Sequence, residues 1–214
     1  MSKSVLIFAP HGDDEVLGVG GTIQKHIDNK DIVTVCFVTG AVTGREEEQI
    51  FNTYTVQDFL KYQNIVHLNY QGDSVFLTTK LITSLDNITK EYLPDIIYCP
   101  WYGDMHQDHR AISHACGSVV RLGSNFKVKR VLLYEVPSST DQGFAKFEIP
   151  FVPNYYIGLT KEQIDKKCKS MKMYSLEQGE MRTADALTEL AKKRGRECFR
   201  DYAEAFVCLR YIDE

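Results

Sequence analysis

The chain has 214 residues, 43% of them hydrophobic, with a net charge of -4. That is enough apolar material for one domain of ordinary size, although length alone does not exclude two. Weak acidity with dispersed Lys and Arg excludes a basic nucleic-acid footprint, and no run reaches the about 18 apolar residues of a membrane span.

Met1 to Ser4 carries no signal-peptide pattern and leads straight into Val5-Leu6-Ile7-Phe8-Ala9, so the expected location is cytoplasmic. That unbroken apolar run predicts a buried strand, and Val16 to Ile23 a helix containing glycines. Ile32 to Val38 reads as a second buried strand, Glu46 to Tyr62 as a helix, and Ile65 to Leu68 as a short third strand. Thr79 to Tyr92 is a helix ended by Pro94, Asp95 to Cys99 a fourth strand, Arg110 to Leu122 a helix and Arg130 to Tyr134 a fifth strand. This alternation predicts an α/β, Rossmann-like, mostly parallel sheet flanked by helices on both faces, in a single domain over 1–214. After Tyr134 the rhythm breaks. Pro137, Pro150 and Pro153 mark an irregular stretch, and residues from about Glu135 to Tyr156 are expected to line a substrate cleft. Helices over Lys161 to Tyr174 and Ala184 to Cys198 and a strand over Ala205 to Ile212 close the chain. Six scattered cysteines without a CxxC pair read as reduced core residues.

Two clusters of ionisable residues follow predicted strands: His11-Gly12-Asp13-Asp14 after the first and His106-Gln107-Asp108-His109 after the fourth. Open α/β sheets bind ligands at the carboxyl ends of their strands, and together the clusters supply three His and three Asp, a donor set suited to one metal site. Each member also has a plainer reading. Asp13 and Asp14 suit a helix N-terminus, where anions are favoured. His106, His109, Asp104 and Asp108 suit a solvated loop. Gly18-Val19-Gly20-Gly21 lacks the spacing of a phosphate loop and points to close helix-sheet packing. Trp101 and Tyr102 suit stacking on a sugar face or packing within their loop, and the run Lys166-Lys167-Cys168-Lys169 reads as a solvated helix face.

The paired clusters carry a resemblance. His11-Gly12-Asp13-Asp14-Glu15 resembles the His-Pro-Asp-Asp-Glu signature of the PIG-L (LmbE-like) family of zinc-dependent N-deacetylases, and His106-Gln107-Asp108-His109-Arg110 resembles its His-Pro-Asp-His-Arg signature. Gly20-Gly21-Thr22, Arg45, Glu48, Tyr134-Glu135-Val136-Pro137 and Tyr202-Ala203-Glu204-Ala205-Phe206 extend it over nearly the whole chain. Gly12 and Gln107 stand where the family usually has proline. The resemblance implies Zn2+, or another divalent ion such as Fe2+, held by His11, Asp14 and His109. It implies Asp13 as general base, His106 as stabiliser of the oxyanion or donor to the leaving amine, and Asp108 as its buttress. Arg45 and Asp73 resemble substrate-binding positions. The implied partner is a small N-acetyl sugar or glycoconjugate of the N-acetylglucosamine type. Two rivals are a silent carbohydrate-binding protein of the same fold and a hydrolase of another amide or a phosphate ester.

Overall fold

The computed structural model describes residues 2–40, 46–121, 128–142, 149–174 and 179–213. One seven-stranded sheet organises them in the order β3-β2-β1-β4-β5-β7-β6. Its strands are β1 (Ser4–Ala9), β2 (Ile32–Thr39), β3 (Asn64–Tyr70), β4 (Ile96–Pro100), β5 (Arg130–Tyr134), β6 (Tyr155–Leu159) and β7 (Tyr202–Tyr211). The first five run parallel, and β7 joins antiparallel between β5 and β6. The helices are α1 (Asp14–Asp28), α2 (Glu46–Leu60), α3 (Thr79–Tyr92), α4 (Gln107–Val119), α5 (Lys161–Met171) and α6 (Ala184–Glu197).

Successive strand residues face opposite sides, so the apolar strands build two cores. Val5 and Ile7 of β1, with Ile96 and Tyr98 of β4, face a layer formed by α1, α2, α5 and α6. Leu6 and Phe8, with Ile97 and Cys99, face α3 and α4. The α/β sheet with helices on both faces is therefore as expected from the apolar runs. Among the described residues no helix is long and apolar enough to cross a membrane. The six cysteines are free, and four of them are buried.

Three departures from expectation have a physical reason in the structure. β6 is a strand that composition did not reveal: it is a short, half-buried edge strand containing Gly158 and follows three prolines. α4 begins at Gln107 rather than Arg110, because the His106 side chain accepts the Asp108 N–H and caps the helix. Lys167, expected on a solvated face, is buried, while Lys166 and Lys169 of the same run are exposed.

The glycines of α1 serve packing. A Cβ at Gly18 would lie 2.1 Å from the Tyr134 ring and one at Gly21 2.5 Å from Leu159. Beside them Glu204 accepts the Gly21 and Thr22 N–H groups, and Lys167 donates to Glu204 Oε1 at 2.6 Å and to the Leu17 carbonyl at 2.8 Å. This buried pair ties α1, α5 and β7 together. Lys167→Met leaves Glu204 without its cation and is expected to destabilise the fold by about 3–5 kcal/mol. Urea unfolding of the purified variant measures it, and a loss within about 0.5 kcal/mol, as at an ordinary surface site, removes the tie.

Candidate metal centre

The sheet order reverses between β1 and β4: the chain steps outward from β1 to β2 and β3, then returns to lay β4 on the other side of β1. That switch point opens a crevice beyond the strand ends. His11, Asp13 and Asp14 leave β1 there, and His106, Asp108 and His109 leave β4 at the start of α4. The cleft has a volume of about 230 Å³, and His11, Asp13, Asp14, Asp73, His106 and His109 all line it.

At its floor three side-chain atoms converge. His11 Nδ1 and His109 Nε2 each lie 3.2 Å from Asp14 Oδ2 and 3.4 Å from one another. Atoms bound about 2.0–2.2 Å from a tetrahedral ion sit about 3.3–3.6 Å apart, so this tripod lies close to the edge of such a site. His106 also offers a ring nitrogen within 4.8 Å of those of His11 and His109. The His11–Asp14–His109 set is the better fit, because its three distances are all near the tetrahedral edge and it includes an anionic donor.

The surroundings present the right ring nitrogens. Asp108 Oδ2 lies 3.0 Å from His11 Nε2 and also accepts the Asp73 N–H, while Oδ1 accepts the Val75 N–H. A proton held on Nε2 by that carboxylate leaves the Nδ1 lone pair directed to the tripod. Asp104 Oδ1 stands behind His109 at 3.4 Å from Nδ1, an ion-pair distance at which that buried nitrogen forms no hydrogen bond among the described residues. Asp104 is fully buried and accepts from Ser139, Thr140 and the His106 N–H, unlike the solvated reading of the sequence. The Asp108 carboxylate is thus turned to His11 rather than to His106.

Electrostatics favour positive charge at the tripod. Burial pushes the His11 imidazole down, but its contacts with Asp108 and Asp14 outweigh this and hold its pKa at about 10. Burial likewise opposes protonation of His109, yet Asp14 and Asp104 raise it to about 9. Burial would raise the Asp14 carboxyl; His109 and His11 instead hold it well below the usual carboxylate range. Such a pocket stabilises a cation, and its donor chemistry suits a divalent metal.

Asp13 is set apart from Asp14 by an unusual backbone. Its φ is 140° and its ψ -26°, a region that disfavours residues with a Cβ. Among the groups that hold it there, Glu15 Oε2 accepts its N–H at 3.1 Å and Arg182 Nη1 donates to its Oδ2 at 2.7 Å. Glu15 is itself fully buried. Burial raises its pKa to about 7 against the Tyr174 hydroxyl, which donates to Oε1 at 2.6 Å. The consequence is that neighbouring carboxylates both face the cleft, one in the tripod and one beside it.

His106 is half-buried across the cleft. Its Nδ1 accepts the Asp108 N–H, which leaves its proton on Nε2, 3.2 Å from Asp73 Oδ1. Burial and the neighbouring His11 and His109 charges lower its pKa, so the ring is neutral with one N–H facing the opening. Arg45 lies outside the described residues. Val136 and Ser139 of the irregular segment line the cleft, whereas Tyr155 and Tyr156 lie in β6, at a different cavity. Trp101 is buried against Tyr102 and Phe151 rather than presented to a ligand.

Two site residues had no role assigned from the sequence, Glu15 as the anchor of Asp13 and Arg182 as its partner, whereas Ser139 lies in the stretch expected to line the cleft. Arg182 comes from a short 3-10 turn, Glu180–Arg182, 169 positions from Asp13, and no local pattern joins the two. Glu15 was visible only as the last residue of a signature.

The fold and the tripod define an α/β protein with a metal-type site at the carboxyl edge of its sheet. Solved structures share this fold. The conserved protein TT1542 from Thermus thermophilus is 20% identical with a TM-score of 0.80, covering 99% of this chain and 97% of that one. N,N'-diacetylchitobiose deacetylase from Pyrococcus horikoshii is 21% identical with a TM-score of 0.78, covering 97% and 84%. The 4-carboxy-2-hydroxymuconate hydratase GalB from Pseudomonas putida KT2440 is 15% identical with a TM-score of 0.79, covering 99% and 98%. The family model for PIG-L, described as GlcNAc-PI de-N-acetylase, matches residues 6–120, and the chain belongs to that family.

Proposed function

We propose that the protein is a metal-dependent hydrolase that removes an N-acetyl group from an N-acetylated sugar or sugar conjugate. The observation that carries this reading is the His11–Asp14–His109 tripod with a carboxylate beside it and an imidazole N–H across the cleft. Membership of the PIG-L family supports the same chemistry, as does the deacetylase among the similar structures.

His11, Asp14 and His109 would hold the ion, with zinc the first choice for two imidazoles and a carboxylate. A divalent ion there supplies Lewis acidity and lowers the pKa of a bound water toward about 7. Asp13, fixed by Arg182, takes the proton from the attacking water. His106, with its N–H directed to the opening, stabilises the charge that develops on the amide oxygen or passes a proton to the departing amine. Asp108 acts through His11 by holding its tautomer. Asp73 orients His106 and, with Arg45, meets the sugar. The products are acetate and a free amine.

Acetate release by zinc-loaded protein from a panel of N-acetylglucosamine conjugates tests the reading. Turnover of at least one conjugate, absent in the chelated protein, is expected. Phosphate release from phosphate esters without acetate release would assign a different hydrolase. Tight sugar binding without turnover by fully loaded protein would assign a binding protein. Hydration of an unsaturated acid without acetate release would place the chain with the hydratase chemistry of one similar structure.

A further inference from the structure

The opposite end of the sheet carries a second cleft, equal in volume to the first at about 230 Å³. It opens between the carboxyl half of α1 and the beginnings of β1, β5 and β6, away from every metal-centre residue. Lys3, Lys25 and Arg130 line it with a single carboxylate, Asp31. That carboxylate is already engaged: Oδ1 accepts the Lys3 N–H at 2.9 Å and Oδ2 lies 2.7 Å from His26 Nδ1. The His26 Nε2 in turn accepts from the Tyr98 hydroxyl at 3.0 Å, which closes a buried chain along the cleft floor.

The three cations are not balanced. Among the described residues no carboxylate pairs with Lys3, Lys25 or Arg130, in a chain whose net charge is -4. Lys25 donates to the Gly158 carbonyl at 2.6 Å, and Arg130 reaches the Tyr155 and Tyr211 hydroxyls and stacks over the Tyr211 ring, all neutral partners. The dipole of α1 accounts for a Lys in its last turn, but not for Lys3, which precedes β1, or Arg130, which opens β5. A separate observation points the same way. Thr22 is 1% exposed, lines the cleft, and its Oγ1 has no hydrogen-bond partner among the described residues. Buried hydroxyls are nearly always satisfied, by protein or by a bound species.

We propose that this cleft binds a small organic anion of about monosaccharide size at a site separate from the metal centre. Its phosphate or carboxylate meets Lys3, Lys25 and Arg130, and its hydroxyls meet Thr22 and Tyr98. The volume exceeds that of a bare anion by room for several waters, so a polyhydroxylated body fits behind the charged group.

Calorimetric titration of the zinc-loaded protein with glucose 6-phosphate, gluconate and glucose tests the site. Saturable binding of one or both anions, and none of glucose, is expected. Arg130→Gln and Lys3→Gln should each weaken it about tenfold or more, since each removes a charged contact. Thr22→Val should weaken it by a smaller factor. Acetate release should be unchanged in all three, because none is placed in the catalytic cleft. His109→Ala should retain the anion, which separates this cleft from capture at the metal. Absence of saturable binding, binding unchanged in both charge variants, or binding lost in His109→Ala would each overturn the proposal. These binding outcomes do not depend on whether the protein is a deacetylase; only the acetate-release comparison does.

Discussion

His109→Ala is expected to strip the protein of its metal and of its activity together. The ring supplies one of three converging donor atoms, and its loss leaves Asp14 facing a single imidazole. Removing a partner behind a metal ligand typically costs about 10–100-fold in metal affinity. Loss of a ligand itself should exceed that range, and the same holds for His11→Ala and Asp14→Ala. Asp108→Asn provides the graded comparison: the ligands stay, but the carboxylate that sets the His11 tautomer at 3.0 Å is gone, so affinity should fall within the range. Metal content after dialysis against a weak chelator, measured with acetate release, reads both effects. Full occupancy in His109→Ala would move the third donor to His106, whose ring nitrogen lies within reach of the same point.

Most of the fold was legible because the central strands β1, β2, β4 and β5 are buried on both faces. Leu6 and Ile7 face different cores, so β1 must be apolar throughout, and an unbroken run is easy to see. β6 lacked that signal, since a half-buried edge strand needs only partial apolar character. Lys167 reads as solvated for a related reason: its neighbourhood is basic, and its contacts with Glu204, 37 positions away, and the Leu17 carbonyl take it inside.

The site was legible where its residues are adjacent in the chain and illegible where they meet only through the fold. His11, Asp13 and Asp14 announce themselves by proximity, as do His106, Asp108 and His109. Which carboxylate serves which imidazole is a tertiary fact. Asp108 is two positions from His106 yet turns to His11, 97 positions away, because the first turn of α4 aims it across the crevice. Asp104 resembled a loop residue until Ser139 and Thr140 were folded over it. The positive φ of Asp13 was also invisible, since nothing in Gly12-Asp13-Asp14 requires the strain to fall on the aspartate rather than on the glycine.

That strain bears on the second large effect. Asp13→Asn is expected to keep the metal and lose most of kcat. The substituted side chain has the same size, and its carbonyl oxygen can still accept from Arg182, so the backbone that Glu15 holds need not move. What the amide cannot do is accept a proton from water. If base catalysis contributes its usual share, kcat falls on the order of 10²–10⁴-fold while metal content and KM change little. Asp14→Asn should behave differently, losing metal first, because its Oδ2 is the atom that both imidazoles approach. Parallel metal analysis and steady-state kinetics on the two variants separate the roles of residues that the sequence makes look alike. Metal lost from Asp13→Asn, with metal and activity both kept in Asp14→Asn, would exchange the assignments. Near wild-type kcat in metal-loaded Asp13→Asn would remove the general base from this carboxylate and leave His106 as the group facing the water.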